Sequence, residues 1–126
     1  MSILTENVSV NPDEIQVDKT YFGKCKWFNS KSGFGFITFK NDKGNMNDIF
    51  VHHNSINVSN EQYKYLVIGE YLQFKICEND SNQKHKYFAS SVEGIDCGKL
   101  MCETRKDFRE IRNKYKSQKE KNVLPL

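Results

Sequence analysis

Gly33-Phe34-Gly35-Phe36-Ile37-Thr38-Phe39-Lys40 is the stretch on which the fold turns. Successive side chains of a strand point to opposite faces, so Gly35, Ile37 and Phe39 share one side and Phe34, Phe36, Thr38 and Lys40 the other. The first set is an ordinary inward row. In the second, two rings stand about 7 Å apart along the strand and lead into Thr and Lys, an ending that meets water. The rings are therefore expected on the outside.

Downstream, Asp48-Ile49-Phe50-Val51-His52-His53 repeats the arrangement, with Ile49 and Val51 inward and Phe50 and His52 outward. Antiparallel neighbours bring side chains of one face into contact, so Phe34, Phe36, Phe50 and His52 are predicted to form a continuous aromatic surface. Upstream, Lys24-Cys25-Lys26-Trp27 adds cations and an indole. Two successive residues there reach one face only if the strand bends or bulges. Ile37, Phe39, Ile49, Val51, Leu72, Phe74 and Ile76 already supply the core, which therefore does not need the outer rings. Bases stack on such rings, at about 1 to 3 kcal/mol each, while phosphates meet the lysines. Duplex hides its base faces, so single strands are the expected ligand.

Five runs of strand composition extend over 20–29, 33–40, 48–53, 70–77 and 86–93, separated by Gly, Asn, Asp and Ser clusters. Residues 41–47 read as a turn. The longer connection 54–69 is expected to tuck Tyr65, Leu66 and Ile68 under the sheet. Gln73 and Lys75 fall on the solvent side of the fourth run. Short strands with one long connection predict a small all-β barrel. Residues 1–19 are polar, hold Pro12 and show no periodicity, which predicts a flexible arm. After Gly98, Met101, Thr104, Phe108, Ile111 and Tyr115 recur at three and four among Arg105, Lys106, Arg109, Arg112 and Lys116. That pattern describes an amphipathic basic helix ending near Ser117. Its apolar stripe would pack on the barrel or a second copy, and its cations would meet phosphate.

A chain of 126 residues suits one domain with extensions, 20–98 flanked by 1–19 and 99–126. With 37% apolar and 28% charged residues the core must be small, while 13% aromatics exceed what it can comfortably bury. Net charge is −3 over 1–20, +1 over 21–98 and +5 over 99–126, so cations are placed locally rather than spread over the body. No membrane-length apolar run is found, and Met1-Ser2-Ile3-Leu4-Thr5-Glu6 lacks the basic start and apolar run of a signal peptide, so neither a membrane span nor secretion is expected. The expected setting is the cytoplasm, with the nucleus, or the host cytoplasm for a viral source, as alternatives. Cys25 and Cys77 read as small strand residues. Cys97 and Cys102 lack a second ligand pair at zinc spacing, so neither metal nor cofactor is expected. His52, His53, Asp48 and Cys25 come without a phosphate loop, nucleophile elbow or paired carboxylates, which argues against an enzyme.

Three segments, Gly23-Lys-Cys-Lys-Trp-Phe-Asn-Ser30, Lys31-Ser-Gly-Phe-Gly-Phe-Ile37 and Asp48-Ile-Phe-Val-His-His53, resemble the cold-shock domain with its two RNP-type motifs. The long segment holding Tyr65-Leu66 is similar to the eukaryotic Y-box type. The resemblance covers roughly residues 20 to 95. It implies a five-stranded antiparallel OB-fold barrel that binds single-stranded RNA or DNA with modest sequence preference. The implied roles are nucleic-acid chaperone or regulator of translation, mRNA stability or transcription. By position, Trp27, Phe34, Phe36, Phe50 and His52 match the family's stacking residues, and Lys24, Lys26 and Asn29 its polar contacts. Tyr63 stands in for a stacking aromatic of the long loop. Ser32 departs from the Lys of bacterial members, and His53 from an aromatic or Gln. The rival function is a protein-interaction scaffold that dimerises or recruits a partner through 99–117.

Overall fold

The architecture comes from a computed structural model, which describes residue 10, residues 12–79 and residues 86–121, with only the backbone over 117–121. Five strands, β1 (Thr20–Asn29), β2 (Phe34–Lys40), β3 (Met46–His52), β4 (Tyr71–Glu78) and β5 (Tyr87–Glu93), precede a helix, α1 (Met101–Lys121). The strands close into a barrel in the order β1-β2-β3-β5-β4.

The expectation of a purely antiparallel barrel is corrected by the β3–β5 pair, which is parallel with Phe50 opposite Phe88. Geometry requires it. Direction alternates across each antiparallel contact, and a ring of five contacts cannot alternate all the way round. One seam must be parallel. The other four pairs are antiparallel.

Alternation sorts the faces as expected. Cys25, Ile37, Phe39, Ile49, Val51, Leu72, Phe74, Ile76, Ala89 and Val92 fill the interior, with Ile56, Leu66 and Leu100 closing it. Tyr21, Phe39 and Phe74 form an edge-and-stack cluster with centroids 5.3 to 6.1 Å apart. Within the long connection Leu66 is buried and Tyr65 packs against the core, but Ile68 is 69% exposed, contrary to expectation. Glu70 N donates to Val67 O, and Gly69 has φ +89°, so Ile68 sits at the corner of a tight turn and points to water.

Of residues 1–19, residues 1–9 and 11 lie outside the described residues. The stretch adjoining the barrel is fastened to it. Val10 and Ile15 pack on the core, Asp42 N donates to Glu14 O at 2.9 Å, and Asn41 Nδ2 donates to Glu14 Oε1 at 2.6 Å.

The helix is longer than predicted and docks differently. Its expected stripe of Phe108, Ile111 and Tyr115 is exposed, so that stripe does not pack on the barrel. Leu100, Cys102 and Glu103 are buried instead. Two carboxylates hold this first turn. Glu103 accepts from Leu100 N and Ser59 N, closing the helix start in the manner of a capping box, and Glu70 Oε2 accepts from Met101 N at 2.9 Å. Burial raises the Glu70 pKa, an effect opposed by the Met101 and Val67 N–H groups and by Arg105. Gln62 Nε2 also donates to Cys102 O. Beyond the first turn the helix leaves the barrel.

Candidate nucleic-acid interface

The outer face of β1, β2, β3 and β5 carries the rings. Across the sheet, Trp27 lies opposite Phe36, Phe36 opposite Phe50, and Phe50 opposite Phe88; one step along, Asn29 lies opposite Phe34 and Phe34 opposite His52. Centroid distances are 5.6 Å for Trp27–Phe36, 5.7 Å for Trp27–Phe34 and for Phe34–Phe50, and 5.8 Å for Phe36–Phe50. All four rings are half-buried and in contact with one another, and among the described residues none of them is fully covered.

Trp27 and Lys26 both face outward because β1 bulges between Cys25 and Trp27. The bulge inserts Lys26 as an extra residue, so Cys25 still points inward opposite Ile37 while Trp27 meets Phe36. Gly35 makes the bulge possible. A Cβ there would collide with Trp27 O and lie 2.7 Å from Phe28 Cα.

The polar residues have separate tasks. Lys26 Nζ is 2.6 Å from Asp48 Oδ2, and Thr38 Oγ1 donates to Asp48 Oδ1 at 2.8 Å, so Lys26 is held in a polar belt beside the rings. Lys24 is exposed, with Nζ 5.8 Å from the Tyr71 ring centroid. Asn29 Oδ1 accepts from Lys31 N and Ser32 N, which shapes the β1–β2 turn. Tyr63 is exposed; its hydroxyl donates to Ser30 O and its ring lies 6.2 Å from Tyr65, which places it against the β1–β2 turn.

His52 Nδ1 accepts from Asn54 N at 3.2 Å, leaving the proton on Nε2. Its ring lies 4.4 Å from His53, which itself covers Gly33, where a Cβ would press into the imidazole. Burial first, and the neighbouring His53 second, hold the His52 pKa below the usual 6.5. His52 is neutral at pH 7. A folded-state value below the unfolded one means that stability declines as pH falls from 6.5 toward the depressed value. A phosphate brought near would raise that value, so such binding would take up a proton and its affinity would rise as pH falls toward 6.5. Imidazole shifts followed by NMR should show a midpoint below 6.5 in the free protein and a higher one in the complex; an unmoved midpoint would place His52 away from phosphate.

Phe88 was not foreseen as part of this face. It alternates with buried Ala89 and shares its row with Lys86 and Ser90, the pattern that singled out Phe34 and Phe36, but the parallel partner that brings it to Phe50 is 38 residues away in sequence. Cys97 is exposed and Cys102 buried, and among the described residues no three His, Cys, Asp or Glu converge as metal ligands. No helix among them is long and apolar enough to cross a membrane.

A closed five-stranded barrel with a ring-bearing outer face defines the OB-like class. Residues 21–95 match the model of the 'cold-shock' DNA-binding domain, and the chain belongs to the cold-shock domain family. It is 35% identical to protein lin-28 of Caenorhabditis elegans over 92 residues, 71% of this chain and 38% of that protein. It is 43% identical to cold shock protein CspA of Staphylococcus saprophyticus over 58 residues, 46% of this chain and 79% of that protein. Protein lin-28 of Caenorhabditis briggsae is 34% identical over 73 residues, 58% of this chain and 29% of that protein.

Proposed function

We propose that the chain binds single-stranded RNA or DNA by stacking bases on Trp27, Phe34, Phe36 and Phe50, with His52 and Tyr63 extending the platform and Lys24, Lys26 and Asn29 as its polar border. Its role is that of an RNA chaperone or a regulator of translation, mRNA stability or transcription. The observation that carries this is the set of four rings within 6 Å of their neighbours on an open face of the barrel. Family membership supports the same ligand class.

Labelled oligonucleotides should quench Trp27 emission on titration. Phe36→Ala should weaken binding by about 1 to 3 kcal/mol while leaving the melting temperature nearly unchanged, since the ring lies on the surface and its loss opens no enclosed cavity. Loss of the fold with full affinity in the folded fraction would contradict the proposal.

A second role, as an interaction scaffold, is favoured by the exposed Phe108, Ile111 and Tyr115 of α1. Arg105, Arg109, Arg112 and Lys116 lie beside that stripe at intervals of four, three and four, while Asp107 pairs with Lys99 and Glu110 with Lys106. If those four cations each meet a phosphate, changing all four to Gln lowers the salt slope of binding by about 3, at roughly 0.7 per single-strand phosphate. An unchanged slope would leave α1 to a protein partner.

A further inference from the structure

The outer surface of β1 does not end at Trp27. Two more aromatic side chains face solvent on the opposite side of Lys24: Phe22, 56% exposed, and Tyr71, 69% exposed. Neither is needed inside, because Tyr21, Leu72 and Phe74 occupy the inward positions beside them. Register makes them neighbours. Phe22 lies opposite Gln73, Lys24 opposite Tyr71, and Thr20 opposite Lys75.

Lys24 belongs to both surfaces. On its other side it pairs with Thr38, two residues along β2 from Phe36. β1 pairs with β2 on one side and with β4 on the other, so the outer row runs from Trp27 through Lys24 to Tyr71 and Phe22. The rings are bordered by ammonium groups, Lys24 over Tyr71 at 5.8 Å and exposed Lys75 along β4. Alternation of π faces with lysines suits a polyanion with flat bases, whereas protein-docking surfaces are depleted in Lys. Beyond Gln73 come Asp96, whose N donates to Gln73 Oε1, and Glu93, opposite Gln73 in β5. Those acids end the surface.

We infer that Phe22 and Tyr71, with Lys24 between them and the main platform, form a second stacking subsite that holds one or two further nucleotides of the same single strand. The inference rests on the proposed function and extends its footprint around the barrel toward β4.

The test uses the full chain with oligothymidylates of six and ten nucleotides. The wild-type protein should bind the longer one more tightly. Phe22→Ala combined with Tyr71→Ala should leave the six-nucleotide affinity and the melting temperature unchanged and weaken the ten-nucleotide complex by roughly tenfold for each ring that carries a base. An undiminished preference for the longer strand in the double variant overturns this subsite while leaving the main platform standing. So does a double variant whose only change is loss of self-association, which would assign the patch to a second copy. Failure of the wild-type protein to bind either strand, and the oligouridylates of the same lengths, overturns the proposed function itself and the subsite with it.

Discussion

A chain ending at Gly98 is expected to lose at least about 3 to 5 kcal/mol of stability, judged against the cost of emptying a buried Leu or Ile site. The loss is large beside the 5 to 15 kcal/mol that typically holds a domain together. Leu100 and Cys102 are each 1% exposed and belong to the same cluster as Leu66 and Cys25. Removing them uncovers that end of the barrel. It also takes away the Met101 N–H that Glu70 accepts and the Glu103 carboxylate that receives Ser59 N, so the long connection loses its fastening. Urea unfolding of the shortened and full chains would measure the difference, and matching midpoints would mean that the first helical turn only rests on the barrel. Residues 101–104 therefore act as core even though the family match ends at residue 95. The contribution of α1 to binding has to be probed by substitution of its cations rather than by deletion.

Gly35→Ala is expected to cost about 3 kcal/mol or more, at or above the upper range of ordinary overpacking. The added methyl would meet Trp27 O and Phe28 Cα, both main-chain atoms of the neighbouring strand, so no side-chain rotation relieves the clash. Relief requires β1 to straighten at its bulge. A straightened β1 would turn either Lys26 or Trp27 away from the outer face, so affinity should fall in the fraction that still folds. Denaturant midpoints and Trp27 emission would report the two effects separately. A variant as stable as the parent and with the same emission would show that the bulge tolerates a side chain.

Much of this is legible in the sequence. Period-2 alternation correctly divided Phe34 and Phe36 from Ile37 and Phe39, and Phe50 and His52 from Ile49 and Val51, because a half-buried strand writes its two faces into successive residues. The same rule required β1 to bend or bulge where Lys26 and Trp27 share a face, and the bulge lies between Cys25 and Trp27. What pattern could not supply was non-local. The parallel pairing of Phe50 with Phe88 depends on how a ring of five strands closes, and Phe88 joined the face only with it. The helix was readable as a helix but not as to which side docks. Its widest apolar stripe, Phe108, Ile111 and Tyr115, is exposed, while Leu100, Cys102 and Glu103 are buried through contacts with the connection before β4. Ile68 was misplaced because hydrophobicity outweighed the turn that Gly69 imposes. Lys26 and Asn29 matched binding positions, yet their side chains also carry structure, one on Asp48 and the other on the β1–β2 turn.

The odd strand count has a mechanical corollary. A hoop of five staves must have one joint unlike the rest, and here that joint, paired at Phe50–Phe88 and continued by the Ile56–Val92 bridge, falls beneath Phe50 and Phe88. A polynucleotide laid over those two side chains would straddle the clasp and tie its halves together. Occupancy would then stiffen the cylinder at its one parallel join, linking the grip on the ligand to the cohesion of the protein.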